Sequence, residues 1–376
     1  MKKKQDSVCI YDGLCAVMFL GLCLSTALLP GSVAPLIREA LHLCGTTVIP
    51  SLFPFMVLSG IVTRSGIARH AGFCFAPLIC PLFGIPKELC GAFLTGLIGG
   101  FPNGAEAVGI LYENGYCSRS DAEKTIALCN NASPAFIFAV AGIYTLGSIK
   151  SGLLLFTAQF GTVIITAQIL RFTGRRGAQE KQSSLPVSTN VQQLSPSAVF
   201  CRSVSGAAVS MLHVCAYIVI FYTAARLLAA LLPTAEVRTA LFGLCEMSGA
   251  VAACHSLAFP RNIVFCAFAL GFAGLSVLFQ VTDVCERYKL SSGEFLFARL
   301  CGALLLPAVC IAFLFILPRR AISASAYLYP YPLPHLPIYS PAAAVRIILL
   351  YAGMFTAALL VLLLLCLFSR LIEKKQ

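Results

Sequence analysis

Gly96-Leu-Ile-Gly-Gly-Phe-Pro-Asn-Gly-Ala-Glu106 is the stretch on which the reading of this chain turns. Four glycines and Pro102 stand within a run that is otherwise apolar. A continuous helix is unfavourable there, since an interior Gly costs about 1 kcal/mol and an interior Pro about 3 kcal/mol relative to Ala. If the flanks lie in lipid, such a break frees backbone N–H and C=O groups, and protein, water or a solute must satisfy them. Glu106 follows the break directly, and an ionisable group at membrane depth is a functional candidate by default. Two plainer readings stand beside this one. The glycines can serve close helix packing alone, and Glu106 can sit at the interface or pair with a cation. No Gly-Lys-Ser/Thr follows, so the run is not a phosphate-binding loop.

The rest of the chain shows why lipid is the right solvent to assume. Of 376 residues, 59% are hydrophobic and only 11% charged, with a mean hydropathy of +0.87. A soluble domain carries roughly 25% charged residues. The formal net charge is +12, but the cations stand singly between apolar runs. That pattern sets membrane orientation and does not make a nucleic-acid-binding patch. The 18 cysteines form no C-x-x-C pair and read as small apolar packing residues. The five histidines show no ligand spacing, so neither a metal nor another cofactor is expected.

Apolar runs predict helices near 12–30, 44–63, 125–147, 151–172, 204–232, 262–281, 297–317 and 345–369. The stretches 70–112 and 236–258 are rich in Gly, Pro and small residues and read as broken or re-entrant segments. The fold class expected is all-α: a polytopic helical membrane protein of about eight spans with both ends cytoplasmic. The three lysines of Met1 to Lys4 precede a first span, read as a membrane helix and not as a cleaved signal. On this map Arg64, Arg69, Arg119, Lys124, Arg171, Arg287 and Lys289 face the cytoplasm, and Arg319 and Arg320 are the one clear violation.

The order of elements repeats. Residues 44–172 run helix, broken segment, helix, helix; residues 204–317 run the same way with the opposite orientation. This predicts an inverted-topology repeat, the architecture of many secondary transporters. Gly104-Ala105 can be laid on Gly249-Ala250, which sets Asn131 opposite Ser276. The divisions expected are an N-terminal membrane helix (1–40), a first repeat (41–172), a polar cytoplasmic linker (173–198), a second repeat (199–318), a Pro/Tyr-rich loop (319–344) and a C-terminal membrane helix (345–376).

Cys129-Asn-Asn-Ala-Ser-Pro-Ala-Phe136 is the second informative stretch. Ser133 followed by Pro134 is a good helix start, yet it falls inside one apolar run. An unwound point is expected, with Asn130 and Asn131 offering amide donors and acceptors; a proline kink repaired by neighbouring helices is the alternative. Half-helix N-termini after Pro102 and after Ser133 would carry partial positive charge and free N–H groups, and would attract an anionic or strongly polar solute. In the second half, Glu246 stands with Ser248 and Gly249 in the broken segment, and Ser276 and Gln280 share one helix face.

Pro50-Ser-Leu-Phe-Pro-Phe55, Pro77-Leu-Ile-Cys-Pro-Leu-Phe83, Gly100-Phe-Pro-Asn-Gly-Ala105 and Cys129-Asn-Asn-Ala-Ser-Pro134 together resemble the nucleoside recognition, or Gate, domain. Over roughly 40–320 the chain is more closely similar to the stage V sporulation integral membrane proteins. The resemblance implies transport of dipicolinic acid from mother cell to forespore across the outer forespore membrane. Carried over position by position, it implies site elements at Pro102, Asn103, Gly104, Asn130, Asn131 and Ser133. Related proteins often place a basic residue after Gly-Ala; here it is Glu106.

The substrate-binding set expected is therefore Pro102, Asn103, Gly104, Glu106, Asn130, Asn131, Ser133, Glu246, Ser276 and Gln280. The function expected is a transporter or channel for a small organic anion, not an enzyme, since no histidine stands at a recognisable spacing from Glu106 or Glu246. A nucleoside transporter and a non-transporting membrane scaffold are the alternatives. The partners expected are the anion and the bilayer, with a homo-oligomer left open.

Overall fold

A chain with this little charge satisfies its backbone most cheaply as helix, and helix is what the computed structural model shows across the residues it describes, 30–173, 195–229, 232 and 234–316. The spans expected at 12–30 and 345–369, most of the linker and the Pro/Tyr-rich loop lie outside them. Helix α1 (Pro30–Leu43) passes through a π-wound turn at Cys44–Val48 into α2 (Ile49–Arg64). Residues 33–64 of this pair form a single span of 32 residues, so positions 40 and 41 fall inside it. Helix α3 (Ile67–Phe83) meets α4 (Cys90–Gly99) at a 116° bend, and after Gly100–Pro102 comes α5 (Asn103–Glu113). Next are α6 (Arg119–Cys129), a π-wound α7 (Phe136–Thr145) and α8 (Ile149–Thr173). The second half holds α9 (Pro196–Ala229), α10 (Ala235–Cys245), α11 (Met247–Ala253), α12 (Arg261–Phe272), α13 (Gly274–Arg287) and α14 (Gly293–Ile316).

Five helical stretches among the described residues are long and apolar enough to cross a membrane, or six with the bent α3–α4 pair counted as one. Large side chains at 70–86% exposure, such as Leu212, Leu304 and Phe315, face outward with no protein partner, as lipid-facing residues do. The span expected at 125–147 is two pieces, α6 and α7, separated at Asn130–Ser133. The span expected at 262–281 is also two pieces. It breaks at Ala273 and Gly274, both in the left-handed region (φ 71° and 78°). Gly271 and Gly274 flank this second break, but Ala273 itself is a good helix former, so its residue type does not announce its positive φ.

Both stretches expected to be broken are hairpins. Arms α4 and α5 pack together around the tip at Gly100–Pro102, and α10 and α11 pack together around Glu246. Helices α12 and α13 together make one span, Arg261–Arg287, that fixes where each hairpin enters. At its Arg287 end, Glu106 of α5 pairs with Arg287, and the Tyr288 ring packs against Gly109, where any Cβ would meet it. At its Arg261 end, Arg261 pairs with Glu236 at the start of α10 at 2.6 Å. The two hairpins thus insert from opposite ends of one span. Their contacts are exchanged as well: α5 packs on α13 of the other half, and α11 packs on α7 of the other half.

Candidate functional site

The first hairpin tip is closed by its own polar groups. Gly100 turns the chain at φ 73°, the Phe101–Pro102 bond is cis, and Asn103 donates from Nδ2 to the Gly99 carbonyl at 2.9 Å. A Cβ on Gly100 would lie 2.9 Å from the Ser133 backbone nitrogen, so the tip rests directly on the break between α6 and α7. Gly96 and Gly104 let α4, α5 and Cys129 of α6 approach: a Cβ on Gly104 would stand 2.7 Å from the Cys129 sulfur. The glycines of the deciding stretch therefore serve packing, apart from the turn at Gly100.

The break itself is a hydrogen-bonded junction. Asn130 is extended (φ −85°, ψ 96°); its Oδ1 accepts the Ala105 N–H at 3.1 Å and its Nδ2 donates to Ile126 O at 2.9 Å. Asn131 donates to Leu128 O at 2.7 Å, and its Oδ1 accepts from Arg299 Nη2 at 2.9 Å. Gln159 of α8 donates to the Ala132 carbonyl at 3.0 Å, and Ser133 Oγ accepts the Phe136 N–H at 3.2 Å. In the second half, Glu246 is buried and extended, and its carboxylate accepts the N–H groups of Ser248 (2.9 Å) and Gly249 (2.5 Å). Gln280 donates to Ser276 Oγ at 3.1 Å, the shared face the spacing predicts. Gly274, at the second break, lies against the Cys245–Glu246 backbone, so here too a hairpin tip touches the break of its own half.

These junctions meet at one small cavity between the halves. Phe101 and Ser133 line it from the first half, Glu246, Ser248 and Gln280 from the second, and Ser51 of α2 and Ile218 of α9 close the sides. A second crevice, between α2, α5 and α9, is lined by Ser59, Arg64, Pro102, Asn103, Glu106 and Ser203. The residues Phe101 to Asn103 form the wall between the two. Of the expected set, Ser133, Glu246 and Gln280 share the first cavity, and Pro102, Asn103 and Glu106 line the second. Gly104, Asn130, Asn131 and Ser276 line neither and hold the junctions together. Glu106 is tied to Arg287 at 3.3 Å and accepts from the Tyr288 hydroxyl at 3.0 Å, so it takes the ion-pair role. Burial first, and the Glu106 carboxylate next, raise the Tyr288 phenol above its ordinary range.

The free N–H groups expected at the half-helix ends are partly occupied. Asn130 takes that of Ala105, Ser133 that of Phe136, and Glu246 those of Ser248 and Gly249. The reason is general: a donor left bare in a dry interior costs about 1–3 kcal/mol, and a nearby acceptor removes that cost. Two residues at the site escaped the sequence reading, Arg299 and Gln159. Arg299 is the sole charge between Phe295 and Ile316, and that isolation in an apolar run was the available sign.

No family model matches the chain, and no solved structure matches it. The chain is similar to the sporulation integral membrane protein YlbJ of Bacillus subtilis (strain 168), 23% identical over 297 residues, which cover 70% of this chain and 73% of that protein. The fold and this similarity together support an integral, polytopic helical membrane protein akin to sporulation membrane proteins.

Proposed function

We propose that the protein is a membrane transporter or channel for a small organic anion, and that the anion is dipicolinate, moved from mother cell to forespore across the outer forespore membrane. One observation carries this reading. Two hairpin tips, inserted from opposite ends, and two interrupted spans converge on one cavity whose largely apolar wall carries Ser51, Ser133, Glu246, Ser248 and Gln280. Interrupted helices at membrane depth are tolerated where they line a cavity, and their pairing across two halves is the plan of inverted-repeat transporters. The exchanged contacts of α5 with α13 and of α11 with α7 support the inverted repeat. The solute rests on the resemblance to the stage V sporulation proteins, and the similarity to a sporulation integral membrane protein supports the setting.

The test is uptake of labelled dipicolinate into liposomes holding the purified full-length protein. The expected result is saturable uptake that Asn131→Ala combined with Ser133→Ala reduces by about tenfold or more, since two buried hydrogen-bonding groups are lost. Uptake unchanged by the double substitution would remove the first break from the mechanism.

A neutral nucleoside is the second reading, favoured by Glu246. It is the one ionisable side chain among those lining the first cavity, and a carboxylate suits a hydroxyl or amide donor better than an anion. Uridine outcompeting dipicolinate, with the competition lost in Glu246→Gln, is the outcome that would select it.

A further inference from the structure

A charge stands behind the first cavity with no carboxylate to balance it. Arg299 of α14 is only 5% exposed. Its Nη2 donates to Asn131 Oδ1 at 2.9 Å, while its Nε has no hydrogen-bond partner. Its guanidinium carbon lies 5.7 Å from the Phe101 ring centroid and 5.4 Å from that of Phe295. Among the described residues no carboxylate reaches ion-pair distance of it. Cation–π contact and one amide oxygen compensate a guanidinium only in part. A buried cation left in this state is costly, and in a membrane protein it marks a functional position.

Its neighbours connect it to the cavity. Phe101 lines the cavity directly, and Asn131 stands two residues before Ser133, which lines it as well. The opposing carboxylate, Glu246, already has both oxygens engaged by the N–H groups of Ser248 and Gly249. Among the described residues that line this cavity there is no cation, and the Arg299 guanidinium reaches its wall through the Phe101 ring.

We propose that Arg299 is the residue that sets the charge preference of the cavity, acting through Asn131 and Phe101 to favour a solute bearing one or more carboxylates. This rests on the reading of the first cavity as the solute site and adds the source of its selectivity. Arg299 is a positioning residue in this scheme. It projects a field into the cavity without touching the solute. In a low-dielectric site such a field is felt over several ångströms.

The experiment compares two probes of one shape, pyridine-2,6-dicarboxylate and its neutral diamide, binding to the purified full-length protein by titration calorimetry. The wild type is expected to prefer the dianion by about tenfold or more. Arg299→Lys keeps the charge and should keep the preference. Arg299→Gln should abolish it while changing diamide affinity by less than about threefold. Asn131→Asp sets a carboxylate at the guanidinium and should abolish the preference too; it carries the test if Arg299→Gln does not fold. Parallel loss of both probes in Arg299→Gln and Asn131→Asp would reduce Arg299 to a structural staple and overturn the proposal. A wild type that binds only the diamide overturns the role of Arg299 and leaves the cavity a solute site. A wild type that binds neither probe overturns the solute site and this inference with it.

Discussion

Gly100, Ala273 and Glu246 show at the scale of single residues what the two junctions demand. Gly100 sits at φ 73° with its missing Cβ 2.9 Å from the Ser133 nitrogen, so Gly100→Ala meets both backbone strain and a clash with main chain. It should lower stability by about 1–3 kcal/mol, read as a drop in Tm of the detergent-solubilised protein, and dipicolinate uptake should fall with it. Ala273 presents the reverse case. An L residue at φ 71° carries strain that Gly does not. Ala273→Gly should therefore raise Tm or leave it unchanged, and a clear drop would mean that the Ala273 methyl contributes more by packing than its backbone conformation costs. Glu246→Gln keeps one acceptor oxygen for the two N–H groups of Ser248 and Gly249, and the orphaned donor should cost about 1–3 kcal/mol on the same assay.

At the scale of elements, the contact between α5 and the end of α13 joins the two halves. Its ion pair is the weaker part. Arg287 and Glu106 are both partly exposed, and such pairs contribute about 0–1 kcal/mol. The packing of Tyr288 on Gly109 is the stronger part, because a Cβ there would clash with the ring. Gly109→Ala should thus destabilise the protein by more than Glu106→Gln does, about 1–3 kcal/mol against less than 1 kcal/mol. Equal effects in thermal unfolding would mean that the ion pair contributes as much as the packing and would overturn this ranking. The sequence marked Glu106 as a candidate but not its partner. Arg287 and Tyr288 lie some 180 residues away, and no local pattern connects them.

For the whole molecule, the arrangement of two hairpins entering from opposite ends makes a claim about sidedness. In a background without reactive cysteines, Ser120→Cys in the first turn of α6 reports the α5–α6 end of the first hairpin, and Ala258→Cys reports the loop before α12. Both positions are exposed. An impermeant maleimide applied to one face of sealed vesicles should label one of them and spare the other. Labelling of both from one face would abolish the opposed arrangement. Native Cys117 is a poor reporter of the same turn, since burial first, and the Asp121 and Glu88 carboxylates next, push its thiol up to about 12. At neutral pH little thiolate is present to react.

Composition and local pattern determined the solvent, the helical class and the places where helices must fail. Low charge forces the backbone to satisfy itself, and Gly100–Pro102 and Asn130–Pro134 are poor helix whatever surrounds them. Those features act within a few residues, so they can be read from a line of text. Which broken pieces meet, which polar groups are already engaged by one another, and that Arg299 stands behind Asn131 were decided only by tertiary packing. So was the positive φ of Ala273, next to Gly274, which lies against the Cys245–Glu246 backbone of the hairpin tip. The physical reason is that burial and pairing are properties of residues brought together from distant parts of the chain, and spacing along the chain does not carry them.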